Sequence, residues 1–131
     1  MKARKQSSAT GIEPTKSELE ILKVLWEHGP STVRFVNDEL NSQSRPVQYT
    51  STLKLMQIMH EKGMLTRDDS SMKHVYRPVE DEEKTKGFLL SRFVENMYNG
   101  SASSLVMQLL GNKKTSAEEL KAIRKMLDNM K

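Results

Sequence analysis

The chain has 131 residues, 36% of them apolar and 29% charged, with a net charge of +4 and no cysteine. That length admits one ordinary domain, or a small head with an appendage, and excludes a second large domain. The composition suits a folded chain, while the missing cysteines exclude disulfides, thiolate nucleophiles and Cys-based metal sites.

The start, Met-Lys-Ala-Arg-Lys, is basic, but Gln-Ser-Ser-Ala-Thr-Gly follows it where a signal peptide would carry an apolar run. No stretch approaches the roughly 18 apolar residues of a membrane span. We read a cytoplasmic protein whose residues 1–13 form a disordered basic arm.

Thr15-Lys-Ser-Glu18 has the form of a capping box, so a first helix starts there. Leu22, Leu25 and Trp26, flanked by Leu19 and Ile21, give it an apolar stripe with Trp26 in the core, and Gly29-Pro30 ends it. Ser31-Thr32 caps a second helix over about 32–41, with Val33, Val36 and Leu40 inward. A polar turn leads to Pro46, placed in the first turn of a third helix that runs to about Glu61. Thr52, Leu55, Met56 and Met59 mark its core face, and Gln48, Ser51, Lys54 and Gln57 its polar face.

Lys62-Gly63 stops the third helix. Met64–Arg67 and His74–Arg77 are rich in β-formers and flank a turn-like Asp68–Lys73, which predicts a hairpin closed by Pro78. Three helices followed by a hairpin is the order of a winged helix-turn-helix, in which the third helix enters the major groove and the hairpin lies beside it.

From residue 80 onward the pattern is helical. A helix over about 82–98 carries Phe88, Leu89, Phe93 and Met97 as a stripe, and a short one spans about 102–110. A third begins at the capping box Ser116–Glu119 and carries Leu120, Ile123, Leu127 and Met130. Helices this short have no partner of adequate size within the tail, so these stripes are assigned to a dimer interface with a second copy. The expected fold class is therefore mainly α with a small β-hairpin wing: a winged helix-turn-helix head over 14–79 and a helical dimerisation tail over 80–131.

Charge is uneven. Between residues 44 and 79 six basic side chains (Arg45, Lys54, Lys62, Arg67, Lys73 and Arg77) face three acids, whereas from Glu80 onward nine face eight. A localised basic stripe suits phosphates. On the third helix Gln48, Tyr49, Thr50, Ser51 and Lys54 are the candidate DNA contacts: Gln and Lys reach base acceptors, Thr50 and Leu53 meet thymine methyls, and Tyr49 and Ser51 hold phosphates. Arg67, Lys73 and Arg77 suit phosphate or minor-groove contact, unless Asp68 and Asp69 occupy Arg67 and Arg77.

His28, His60 and His74 lack metal-ligand spacing, and the nine methionines fit core filling, so no metal or cofactor is expected. There is no G-x-S-x-G, P-loop or Gly-rich strand-to-helix turn, and no small-molecule substrate or enzymatic activity is expected. A winged-helix protein-interaction module without sequence-specific DNA binding is the rival reading.

Three stretches, Glu18–Pro30, Tyr49–Leu53 with Glu61–Arg67, and Val75–Val79, resemble the penicillinase-repressor family, the BlaI/MecI/CopY type of bacterial regulator, and the resemblance covers residues 14–131. It implies a homodimeric transcriptional repressor bound to a palindromic operator in double-stranded DNA. It also implies a membrane sensor protease as a partner, whose signal leads to cleavage in the short tail helix and ends repression. The β-lactam-responsive branch is cut at an Asn-Phe bond, where this chain places Gln108-Leu109; the Cys-x-Cys motifs of copper-responsive members are missing.

Overall fold

The computed structural model describes residues 13–43, 45–111 and 116–129. The basic arm, apart from its last residue, and the stripe residue Met130 lie outside the described residues. Those up to Leu89 form one compact unit and those from Leu90 a second, so the first unit reaches further along the chain than the 14–79 span. Among the described residues no helix is long and apolar enough to cross a membrane.

The element order is α1 (Lys16–His28), α2 (Val33–Gln43), α3 (Tyr49–Glu61), β1 (Leu65–Asp68), β2 (Val75–Pro78), α4 (Glu82–Tyr98), α5 (Ala102–Gly111) and α6 (Ala117–Asn129). Mostly helical with one antiparallel hairpin, it has the winged helix-turn-helix order expected from the sequence. The capping box forms as read: the Glu18 amide donates to Thr15 Oγ1 at 3.2 Å, and the Thr15 amide donates to Glu18 Oε1 at 2.9 Å. Gly29, at φ +86°, ends α1 with its amide on the Leu25 carbonyl; a side chain there would strain the backbone.

One apolar core fills the first unit. Ile21, Leu22, Val24 and Leu25 from α1 meet Val33, Val36 and Leu40 from α2, Met56 and Met59 from α3, and Met64, Leu65 and Tyr76 at the wing. Trp26 and Leu55 pack at its edge, only partly buried, rather than within it. Trp26 instead directs its indole N–H to the Glu80 carbonyl at 3.1 Å, as amphipathic aromatics do at a wet boundary.

Two further points depart from the sequence reading. Helix α3 starts at Tyr49 with an extended Gln48 as its N-cap, so Pro46 lies ahead of the helix rather than in its first turn. Phe88 is 6% exposed within the single chain and belongs to the first unit's interior, not to an open stripe.

Wing and helices are joined by backbone. The strands pair in the register Leu65↔Pro78, Thr66↔Arg77, Arg67↔Tyr76 and Asp68↔Val75. Beyond them, Ser31 and Tyr76 exchange two backbone hydrogen bonds of 3.0 and 2.8 Å, which pins β2 to the turn before α2.

Lys62, just past α3, reaches back to α1 and donates to Glu18 Oε2 at 2.6 Å. Burial alone would push the Glu18 carboxyl up, but the bonds from Lys62 and Thr15 outweigh it and hold the group below its ordinary value. The pair therefore stabilises the fold fully above the unfolded carboxyl value of about 4.3, and that contribution is lost as pH falls through the lower folded value. Lys62→Met strands a buried carboxylate and should cost about 2–3 kcal/mol at pH 7, less than for a fully enclosed pair because Lys62 is partly exposed. Urea unfolding followed by Trp26 fluorescence measures it, and the deficit should shrink as pH falls through the parent's lowered Glu18 value and close only below it, where Glu18 is protonated in both proteins.

Candidate nucleic-acid interface

The angle between α2 and α3 is set by amides. Asn37, buried on α2, donates through Nδ2 to the Val47 carbonyl at 3.0 Å and to Thr52 Oγ1 at 2.8 Å, and its Oδ1 accepts from Asn41 Nδ2 at 3.2 Å. Asn41 Oδ1 in turn accepts from the Val47 amide at 2.6 Å. Thus the residue just before the α3 N-cap is held on both its N–H and its C=O. With Thr52, Met56 and Met59 buried, the opposite face of α3 must point outward.

That outward face carries four of the five expected helix residues. Gln48, Thr50, Ser51 and Lys54 are exposed around the N-terminal end of α3. Tyr49 is the exception: half-buried against the core, it lies under the guanidinium of Arg34, 4.3 Å from ring centroid to Cζ. Leu53 also packs partly on the core.

The wing residues divide. Lys73 and Arg77 are exposed, with Arg77 contributing to the field that, after two bonds from Ser70, holds the Asp68 carboxyl below its ordinary value. Arg67 is occupied. Its guanidinium is raised above its usual value first by the Tyr76 hydroxyl and then by Asp69, to which Nε donates at 2.7 Å. The acid pairing foreseen as an alternative is therefore realised at Arg67, and Asp69 also stands 3.6 Å from His74 Nδ1.

Between the first turns of α2 and α3 and the wing lies a groove of about 410 Å³, lined among others by Thr32, Arg34, Tyr49, Leu53, Lys73 and His74. Sequence reasoning missed Arg34. Its signal was present: a basic residue just after the Ser31-Thr32 cap, on the helix that a helix-turn-helix places against the start of the third. Among the described residues no group of three or more His, Asp or Glu side chains could hold a metal ion.

The family model described as "Penicillinase repressor" matches residues 14–129. The chain belongs to the penicillinase repressor family. It is 30% identical over 115 residues to the penicillinase repressor of Bacillus licheniformis, covering 88% of this chain and 89% of that protein. It is 21% identical over 116 residues to the methicillin resistance regulatory protein MecI of Mammaliicoccus sciuri, covering 88% and 94%. Its fold is similar to that of a MarR family protein from Bacillus stearothermophilus, with a TM-score of 0.50 and 20% identity over 92% of this chain and 75% of the other. The protein is thus a transcriptional repressor with a winged-helix head, not an enzyme, and repression implies DNA binding.

The amide network bears directly on how this repressor presents the outward face of α3. Asn37→Ala orphans the Val47 carbonyl and the Thr52 hydroxyl, and should cost about 2–3 kcal/mol in urea unfolding. Asn41→Ala, at the exposed end of the same network, should cost less.

Proposed function

We propose that the repressor acts in the cytoplasm as a homodimer on a palindromic operator, each head laying the N-terminal end of α3 in a major groove with the wing against the neighbouring backbone. The observation that carries this is the exposed Gln48, Thr50, Ser51 and Lys54 on a helix whose other face is locked into the core. Side chains at the start of such a helix reach base edges, while cations on the wing meet phosphates.

What supports the homodimer is the second unit. Neither α5 nor α6 buries a residue in the single chain. Leu120, Ile123 and Leu127 are exposed along one face of α6, and with Leu110 they line a groove of about 550 Å³. Phe93 and Met97 on α4 are 46% and 65% exposed, and Leu89, partly buried, continues the same expected stripe. An unpartnered apolar surface of this kind is unusual on a monomer, and a second copy covers it symmetrically.

Induction follows from the same arrangement. A sensor protease of the membrane, or a protease it controls, cuts α5 at Gln108-Leu109, detaching α6 and with it much of the dimer seam. A head freed from its partner loses the second, intramolecular half-site encounter, an advantage on the order of a hundredfold or more.

Two experiments test the reading. On DNA selected from random sequence, Thr50→Ala and Lys54→Ala should weaken specific binding about 10-fold or more, with little change on scrambled duplex, because base contacts are worth about 1–3 kcal/mol each. Lys73→Ala should weaken both alike. Equal losses on both duplexes for all three variants would remove α3 as the reader, and no band at low salt for the parent would favour a protein-interaction module. Separately, light scattering at micromolar concentration should give a dimer for the full chain and a monomer for Ile123→Asp/Leu127→Asp, since unpaired charge in a buried seam costs several kcal/mol. Fragment 1–108 should behave like the double variant; a dimeric fragment with full operator affinity would defeat the cleavage mechanism.

A further inference from the structure

Arg34 stands outside the contacts assigned above, yet its placement is specific. It is exposed on the first turn of α2, and the Tyr49 ring beneath it belongs to the first turn of α3. A guanidinium stacked on an aromatic face keeps its N–H edges open to acceptors in its own plane, and the stack restricts a side chain that otherwise carries about 2 kcal/mol of rotamer entropy. Among the described residues no carboxylate pairs with Arg34 or with Lys73.

The groove that Arg34 edges has matching chemistry on its other wall. Lys73 and His74 come from the wing, Thr32 and Leu53 from the helical side, and no acidic residue lines it. On the wing, Asp69 pairs with Arg67 at 2.7 Å and stands 3.6 Å from His74. Cationic groups over a partly apolar floor focus potential on a small anion better than the same charges on an open surface.

We infer that this groove seats one backbone phosphate of the bound DNA, with Arg34, presented by the Tyr49 ring, as its main ligand and Lys73 closing from the wing. The inference rests on the DNA-binding reading and adds a contact to it. It also reassigns Tyr49: the ring supports the arginine, and the hydroxyl is not the phosphate ligand.

Binding of the full-length protein to a synthetic duplex of scrambled sequence, titrated with salt, tests this. Each phosphate contact contributes about 0.9 to the slope of log affinity against log salt. Arg34→Ala should flatten the slope by about that amount per bound head, with its Trp26-monitored unfolding unchanged because the residue is exposed. Arg34→Lys should keep the slope but bind more weakly, since an ammonium keeps the charge and loses the planar stack. Tyr49→Phe, which keeps the ring, should bind like the parent. An Arg34→Ala slope equal to the parent's would overturn the seat while leaving DNA binding intact, and a Tyr49→Phe loss matching that of Arg34→Ala would return the contact to the hydroxyl. A parent chain that binds no duplex at low salt would remove the DNA reading and the seat together.

Discussion

A buried asparagine stands where α2 and α3 meet, and both polar atoms of its side chain are used inside the chain. Asn37 holds the Val47 carbonyl and the Thr52 hydroxyl while accepting from Asn41. A buried amide is costly unless every partner is present, so this network tolerates only one arrangement of the two helices. Apolar packing between α2 and α3 could slide by a fraction of a turn at little cost; the directed bonds that join Asn37 and Asn41 to Val47 and Thr52 cannot. Which side chains of α3 face outward is decided here.

The wing depends on a comparable constraint. Two strands of four residues are marginal alone, and this pair is secured by Leu65 and Tyr76 in the core and by the two backbone bonds between Ser31 and Tyr76. Tyr76 thus serves three partners: the core, the turn before α2, and Arg67 across the hairpin. With Arg67 tied to Asp69 and Tyr76, the cations left available on the wing are Lys73 near its tip and Arg77 on its outer face. The positive charge offered to a ligand is therefore narrower than the count of basic residues implies, and it gains Arg34 from α2.

The second unit follows different physics. Each helix closes its own backbone ladder, and α6 is capped by reciprocal bonds between Ser116 and Glu119 of 3.0 and 3.1 Å. Side-chain burial is almost missing from α5 and α6, so helices this short draw little from packing within one chain. The proposed homodimer would supply what the single chain lacks.

Much of the fold was legible in the sequence because its signals are local. The capping boxes at Thr15 and Ser116, the stop at Gly29-Pro30, the 3.6-residue stripes of α1 and α2 and the two β-rich flanks of Asp68–Lys73 each act over a few residues, and local physics suffices to place them. Pro46 misled because its fixed φ is compatible with a helix start and equally with the extended residues that precede the Gln48 N-cap. Periodicity placed Gln48, Ser51 and Lys54 on the polar face of α3, and the position of Thr50 at the N-terminal end of the helix added it to the set. Whether Arg67 was free, whether Tyr49 faced ligand or core, whether Phe88 was open, and that Arg34 belonged to the same surface were decided only by tertiary structure. Each is a contact between residues 9 or more apart in the chain, or a burial that depends on them, with one exception: the bond from Arg67 to Asp69 spans two residues, and there the sequence offered the pairing but could not choose it over solvent. Sequence determined the elements and their polar faces; which charges remained free was left to the packing, because a side chain's partners are set by the fold and not by its neighbours along the chain.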